Sequence, residues 1–237
     1  MSLSRKDRPL YLQIKNILKD RILYGVYPLG TQIPSEPQLE KEFGVSKITV
    51  RGAIQELVQE GYLEKGSGKG TKVIRITSTS KLSKWKRFTE ILVEEGHQIQ
   101  KQWLRAEMEQ TEAGTEPHRL FGESCLRLER VYLLDDVPYI YYTHYLTNTI
   151  GDLDLSDLNA QSLYGLLEDQ NISLDKLRDE FDVAAPPEHI ATMLQISTGK
   201  PLLKRSRYSY DEQGNVREYS IGYYNTELQN YVVNYEV

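Results

Sequence analysis

Residues 35–73 constrain the fold more than any other stretch of the chain. They begin Ser35-Glu36-Pro37-Gln38-Leu39 and run through Phe43-Gly44-Val45-Ser46-Lys47-Ile48-Thr49-Val50-Arg51. They end in the glycine-rich Gly66-Ser67-Gly68-Lys69-Gly70-Thr71-Lys72-Val73. Ser35, with Gln38 three residues on, is a capping-box start for a short helix. Pro37 is tolerated only because it falls in the first turn, where N–H groups have no intrahelical partner. Gly44 suits a left-handed helix end, and Ser46 caps the next helix. From Lys47 to Glu60, Val50, Ala53, Ile54, Leu57 and Val58 keep to the i, i+3, i+4, i+7, i+8 pattern, and Gly61 ends the run. Tyr62–Lys65 and Thr71–Ile74 are strand-like, with Gly66–Gly70 as the loop between them. Two short helices on a tight turn, followed by a glycine hairpin, make a winged helix-turn-helix. That shape fits a DNA major groove and reaches the adjacent minor groove.

The charge distribution agrees. The chain carries a formal net charge of −5, but residues 1–75 hold 13 Lys and Arg against 8 Asp and Glu. A basic head on an acidic body is the asymmetry expected of a nucleic-acid-binding module joined to another kind of domain. An earlier helix is expected over residues 9–25, where Leu10, Ile14, Ile17, Leu18 and Ile22 recur at helical spacing. The helix from Lys47 is the recognition helix. Arg51 is placed to grip guanine O6 and N7, and Lys47 and Thr49 to reach bases or phosphates. Ser35 and Ser46 mark helix N-termini that approach phosphates. Lys65 and Lys69 flank a wing whose glycines let the backbone come close to DNA.

Other chemistry is poorly represented. Cys125 is the one cysteine of the chain, so neither an internal disulfide nor a cysteine zinc site is expected. The four histidines show no paired metal spacing, and no Gly-x-Ser-x-Gly elbow occurs. Gly66-x-Gly68-x-Gly70 lacks the strand-to-helix setting of a phosphate loop. These features predict no metal, no cofactor and no enzymatic activity. Without a signal peptide or an apolar run long enough to span a bilayer, a cytoplasmic protein with no membrane partner is expected.

The expected organisation is a DNA-binding domain over 1–75, a linker over 76–83 containing Thr77-Ser78-Thr79-Ser80, and a second domain over 84–237. In the second domain a helix is expected over 84–95. Two strand-rich stretches follow, with helices near 161–170 and 186–195. Tyrosine and β-branched residues dominate the strands, so the domain reads as α+β on a largely antiparallel sheet. Leu126–Asp135 is echoed by Leu203–Asp211, each followed by turn residues and a tyrosine-rich strand, which suggests two similar hairpins. Strand parity places Leu126, Leu128, Arg130 and Tyr132 on one face. A guanidinium there needs a partner, either a ligand carboxylate or phosphate or an internal ion pair such as one with Glu218. Glu218, Ser220 and Tyr224 also share a face. Tyr139, Tyr141, Tyr142 and Tyr145 are candidate stacking surfaces beside the blander reading of sheet packing.

These residues carry a family resemblance. Pro34-Ser35-Glu36, Leu39, Gly44-Val45-Ser46, Thr49-Val50-Arg51, Leu57, Gly61 and Gly68-Lys69-Gly70-Thr71-Lys72-Val73 resemble the GntR family of bacterial transcription regulators over residues 8–75. Pro37 departs from it. The family usually has arginine after Ser-Glu, so the resemblance implies one base contact fewer, with either a different operator or compensation by Lys47. Residues 84–237 resemble the UTRA domain of the HutC subfamily. This rests on Phe88-Thr89-Glu90, Leu126 to Arg130, Asp135 with Pro138, Ser162-Leu163-Tyr164, Gly199-Lys200-Pro201-Leu202 and Glu218-Tyr219-Ser220. The resemblance implies a chorismate-lyase-like sheet enclosing a small-molecule pocket. It also implies a homodimeric, ligand-responsive repressor on a palindromic double-stranded DNA operator. It adds Gly68 and Thr71 to the DNA-binding set. For the effector it implies Arg130, Ser162, Glu218 and Tyr224, with Phe88, Tyr142 (where relatives often carry Glu) and Arg87 (otherwise a surface charge) beside them. Tyr132 stands where some relatives place a second arginine, so an anionic sugar or sugar phosphate would meet a less charged, more aromatic pocket.

Overall fold

A computed structural model describes residues 9–66, 70–76, 88–148, 158, 163, 167 and 172–232. The chain divides into two compact units, and the described residues pass from the first to the second between Ile99 and Gln100. The first contains α1 (Leu10–Leu23), α2 (Glu36–Phe43), α3 (Lys47–Gln59), β1 (Leu63–Gly66), β2 (Gly70–Val73) and α4 (Phe88–Glu94). Its core is the predicted stripe: Val50, Ala53, Ile54 and Leu57 of α3 are buried, as are Ile14, Ile17, Leu18 and Ile22 of α1. Local chemistry sets the helix ends. Gln38 Oε1 accepts from both the N–H and the hydroxyl of Ser35, each at 2.8 Å. Ser46 Oγ accepts from the Thr49 N–H at 3.3 Å. Gly44 closes α2 at φ 62°, a left-handed conformation that an L side chain adopts only with strain. Glu60 then ties the end of α3 to α1, taking Lys15 at 2.8 Å and Lys19 at 2.7 Å. β1 and β2 pair antiparallel. The chain at 31–33 lies along β2: the Val73 N–H donates to the Thr31 carbonyl at 2.9 Å, and the Ile33 N–H to that of Thr71 at 3.0 Å.

The second unit is built on one six-stranded sheet, ordered β3-β4-β5-β8-β7-β6. The strands are β3 (Ile99–Gln110), β4 (Ser124–Leu134), β5 (Val137–Leu146), β6 (Lys176–Ala184), β7 (Leu202–Tyr210) and β8 (Val216–Tyr224), with short helices α5 (Glu116–Phe121) and α6 (Glu188–Met193). The two expected hairpins are β4–β5 and β7–β8, joined edge to edge by β5 and β8. Asp135 (φ 48°) and Asp136 (φ 68°) form the two-residue turn of the first, as a type I′ hairpin requires. Asp211 organises the second by accepting the Gln213 and Asn215 N–H groups at 3.0 and 2.8 Å.

Each sheet face has its own core. Trp103, Leu126, Leu128 and Leu146 pack with Leu158, Leu163 and Leu167 on one face. Leu163 and Leu167 are helical and four residues apart, in keeping with the helix expected near 161–170. On the other face Val131, Tyr141 and Leu202 pack with Ile190 of α6 and Leu194. Cys125 is buried, and burial pushes its thiol up to about 11, which makes it a small apolar core residue and a poor nucleophile. Among the described residues no helix is long and apolar enough to cross a membrane.

One row crosses the sheet. Arg130 of β4 faces Tyr142 of β5, Tyr142 faces Gly222 of β8, and Gly222 faces Arg205 of β7. Paired residues in register project to the same face, so the row sets two arginines on either side of one tyrosine ring. Gly222 makes room for that ring: a Cβ there would lie 2.6 Å from Tyr142 Cε1. Two residues along the same face, His144 Nδ1 meets Glu218 Oε1 at 2.8 Å, and Ser209 donates to the other Glu218 oxygen. Burial, reinforced by the charge of Arg130, lowers His144 to about 4. Burial alone would raise Glu218, but the bonds from His144, Ser209 and Ser220 outweigh it and hold the carboxyl at about 2.

Two outcomes follow from this packing. Gly222→Ala forces Tyr142 off its position and lowers stability by about 1–3 kcal/mol, the usual cost of overpacking; urea unfolding of the full chain measures it. His144 titrates lower folded than unfolded, so between pH 6.5 and about 4 only the unfolded chain takes up its proton. Stability therefore falls as pH drops through that window, and below about 4.5 the loss from Glu218 adds to it. His144→Asn keeps a donor to Glu218 but has no titrating ring, so its urea midpoint changes less between pH 7 and 5 than that of the wild type.

Candidate nucleic-acid interface and ligand site

In the first unit the start of α2, the exposed side of α3 and strand β1 converge on one carboxylate. Arg51 donates to Glu36 Oε2 from Nη2 at 3.1 Å and from Nε at 3.3 Å, and Lys65 Nζ donates to Oε1 at 3.4 Å. The Arg51 bond is the main reason the Glu36 carboxyl sits below its usual range, with burial opposing and Lys65 assisting. Arg51 is still 55% exposed in its side chain, so these are surface pairs of modest strength. Lys47 is exposed at the start of α3 and pairs with nothing among the described residues. The Ser46 hydroxyl is occupied in capping and in a 2.8 Å bond with Thr49 Oγ1, and the Ser35 hydroxyl is held by Gln38. These serines and Thr49 thus build the helix starts, which leaves backbone N–H groups to face an anion. Thr71 lies half-buried on β2, opposite Lys65. Ile48 is 83% exposed, away from the buried stripe. The sequence signal for it was there, an apolar residue off the apolar face, and sequence reasoning passed it over. Gly68 and Lys69 of the wing lie outside the described residues.

In the second unit Arg130, Tyr142, Glu218 and Tyr224 are all buried on one sheet face. The internal ion pair weighed for Glu218 takes another form: its partners are His144 and Ser209. Arg130 lies among rings, its guanidinium 4.9 Å from the centroids of Trp103 and Tyr132 and 5.2 Å from that of Tyr142. The quadrupoles of three ring faces stabilise a buried cation there. Tyr142 stacks on His144 at 5.3 Å, and its hydroxyl bonds that of Tyr224. Tyr141 and Tyr145, offered as stacking surfaces, point the other way. Tyr141 donates to Glu129 and Tyr145 stacks on Tyr219, because residues of odd number on β5 occupy the opposite face. Tyr139 donates to the Gln229 carbonyl at 3.0 Å, a packing role. Arg87, Ser162 and the side chain of Phe88 lie outside the described residues.

Sequence reasoning missed Arg205 and His144. Arg205 donates to Tyr142 at 2.6 Å from Nη2 and to Tyr231 at 2.9 Å from Nη1. Its neighbour Arg207 is clamped by Asp179 at 2.6 and 2.7 Å. A run reading Lys204-Arg205-Ser206-Arg207 looks like a solvated charge pattern, and only the cross-strand register reveals that Arg205 turns inward beside Tyr142. Among the described residues no group of three or more His, Cys, Asp or Glu is placed to hold a metal.

Residues 10–73 match the bacterial regulatory proteins of the gntR family, and residues 94–229 match the UTRA domain. The "Probable fructoselysine utilization operon transcriptional repressor" of Shigella flexneri is 30% identical over 86% of this chain and 85% of its own length. The HTH-type transcriptional repressor NagR of Bacillus subtilis (strain 168) is 28% identical over 94% of this chain and 93% of its own. The crystal structure of the possible transcriptional regulator YydK from Bacillus subtilis has a similar fold, with a TM-score of 0.52 at 18% identity over 96% of this chain and 99% of that one. With both domain matches on one chain and a repressor 30% identical over most of its length, the chain belongs to the gntR family of bacterial regulatory proteins, in the HutC-type arrangement with a UTRA domain.

Proposed function

We propose that this chain is a repressor that binds a palindromic operator as a homodimer and releases it when a small metabolite occupies the second domain. As a member of a regulator family it acts by binding, not by catalysis. We take residues 1–75 as the DNA-binding domain, 76–83 as the linker and 84–237 as the effector-binding and dimerisation domain. The observation that carries the reading is the surface where Arg51, Lys47 and Lys65 meet beside two helix N-termini. Arg51 reads guanine and Lys47 and Lys65 hold phosphates, with Ser35, Ser46, Thr49, Gly68, Lys69 and Thr71 completing the DNA-facing set. Ile48 supplies an apolar contact of the kind a thymine methyl accepts. Two heads on a two-fold axis read two half-sites, which is why a palindrome and a homodimer go together.

Arg87, Phe88, Arg130, Tyr142, Ser162, Glu218 and Tyr224 form the proposed effector set. One relative is named for a fructoselysine utilization operon, which supports a sugar-derived effector, an anionic sugar or sugar phosphate. The effector lowers operator affinity by favouring a dimer with the wrong head spacing, a linkage that requires differential affinity for the two states. The site of action is the cytoplasm, where operator and metabolite are both present.

Arg51→Ala weakens binding to an operator selected in vitro by about 1–3 kcal/mol and relaxes selectivity at one guanine per half-site. Fluorescence anisotropy on matched and mismatched duplexes measures both effects. Unchanged affinity and selectivity would remove Arg51 from the readout. The same titration, repeated with sugars and sugar phosphates, tests release.

A further inference from the structure

Arg205 is 7% exposed, and among the described residues no carboxylate pairs with it. The nearest candidates are taken: Asp179 is clamped by Arg207, and Glu218 by His144 and Ser209. Its hydrogen-bond partners are two phenol oxygens, from Tyr142 and Tyr231, and its Nε is buried without a partner. Phenols in their neutral form do not balance a cation, and a guanidinium removed from water without a counter-charge is costly. A second buried group is incomplete on the same face. His144, 2% exposed, has no partner at Nε2 among the described residues. Its Nδ1 faces an ionised carboxylate and so must hold the ring hydrogen, which makes Nε2 an acceptor. Tyr142 joins the two groups, stacked on His144 and hydrogen-bonded to Arg205. Arg205 stands two strands from His144 in the sheet order, and its side chain reaches over the intervening strand to the Tyr142 ring that stacks on His144.

We propose that Arg205 and His144 are polar anchors of the effector site and that the effector is a hydroxylated organic anion. Its acid group, phosphate or carboxylate, lies on Arg205, and a hydroxyl donates to His144 Nε2. The inference rests on the effector-binding reading of the second domain and adds to it the residue that carries charge recognition. In this proposal the acid is recognised from β7, beside Arg130 of β4, whose guanidinium lies among three rings.

The test uses the full chain as wild type, Arg205→Met and Arg205→Lys, with glucose 6-phosphate, gluconate and neutral glucose as probes, read by thermal shift and calorimetric titration. At least one acid probe is expected to stabilise the wild type while glucose does not; which acid does so separates phosphate from carboxylate recognition. Arg205→Met is expected to lose at least tenfold in affinity for that probe. It should also melt, without ligand, at or above the wild-type temperature, because a buried cation without a carboxylate pair among the described residues has been removed. Arg205→Lys, which keeps the charge but not the fork, should fall between them. An acid probe that binds Arg205→Met as tightly as the wild type overturns the proposal, as does glucose binding as tightly as the acids, or no acid binding at all. A ligand-free melting temperature of Arg205→Met several degrees below the wild type also overturns it, since Arg205 would then be a structural residue. Operator release by a neutral metabolite would leave the effector reading standing while removing Arg205. Operator affinity indifferent to every metabolite would remove the effector reading itself.

Discussion

The pairing of β5 with β8 is the constraint on which the second domain depends. It joins two hairpins into one sheet and fixes which side chains share a face. A one-residue slip would send Tyr142 and His144 to the face now occupied by Tyr141, and would bring Tyr141 and Tyr145 among the arginines. Gly222 helps to hold the register: it is the position in the row where the Tyr142 ring leans across a neighbouring strand, and any side chain would obstruct it. The hydrogen bond from Arg205 to Tyr142 spans an intervening strand only because that strand carries a hydrogen at the crossing point.

The same face buries several charges and treats them differently. Arg207 and Glu218 have protein partners of complementary character, a carboxylate for the one and an imidazole N–H with a hydroxyl for the other. Arg130 is surrounded by ring faces, and Arg205 by phenol oxygens. Carboxylate pairing satisfies a cation from within the fold. Phenols lower the cost of burying Arg205 but leave it without a carboxylate partner among the described residues. The half-buried Arg207 is held within the fold by Asp179, whereas the buried Arg205 is the cation on this face proposed to answer to something outside the chain.

The DNA-binding head was legible in the sequence almost residue by residue, and the reason is locality. Capping by Ser35 and Ser46, the left-handed Gly44 and the stripe from Val50 to Leu57 depend on neighbours within a few positions. The proposed ligand site was legible only in part. Parity along one strand placed Arg130 inward, and parity along another put Glu218 with Tyr224. Parity within a strand cannot say which strand lies alongside. The partner of Glu218 is 74 positions away and Tyr142 is 63 positions from Arg205, so the pairing had to be seen. The tyrosines show the same limit: the four of β5, near one another in sequence, divide between two faces with different roles, and composition alone treats them alike.

Glu36 gives the head a property that a basic patch alone would lack. In the absence of DNA it holds both Arg51 and Lys65, so neither cation is fully free to bind any polyanion that approaches. Surface pairs of this kind are worth little individually, so a guanine edge that offers Arg51 two acceptors displaces the carboxylate readily. A lone phosphate gains less, since it must compete with a carboxylate already in place and meets repulsion from it. On the proposed readout by Arg51, the pair therefore costs non-specific binding proportionally more than specific binding.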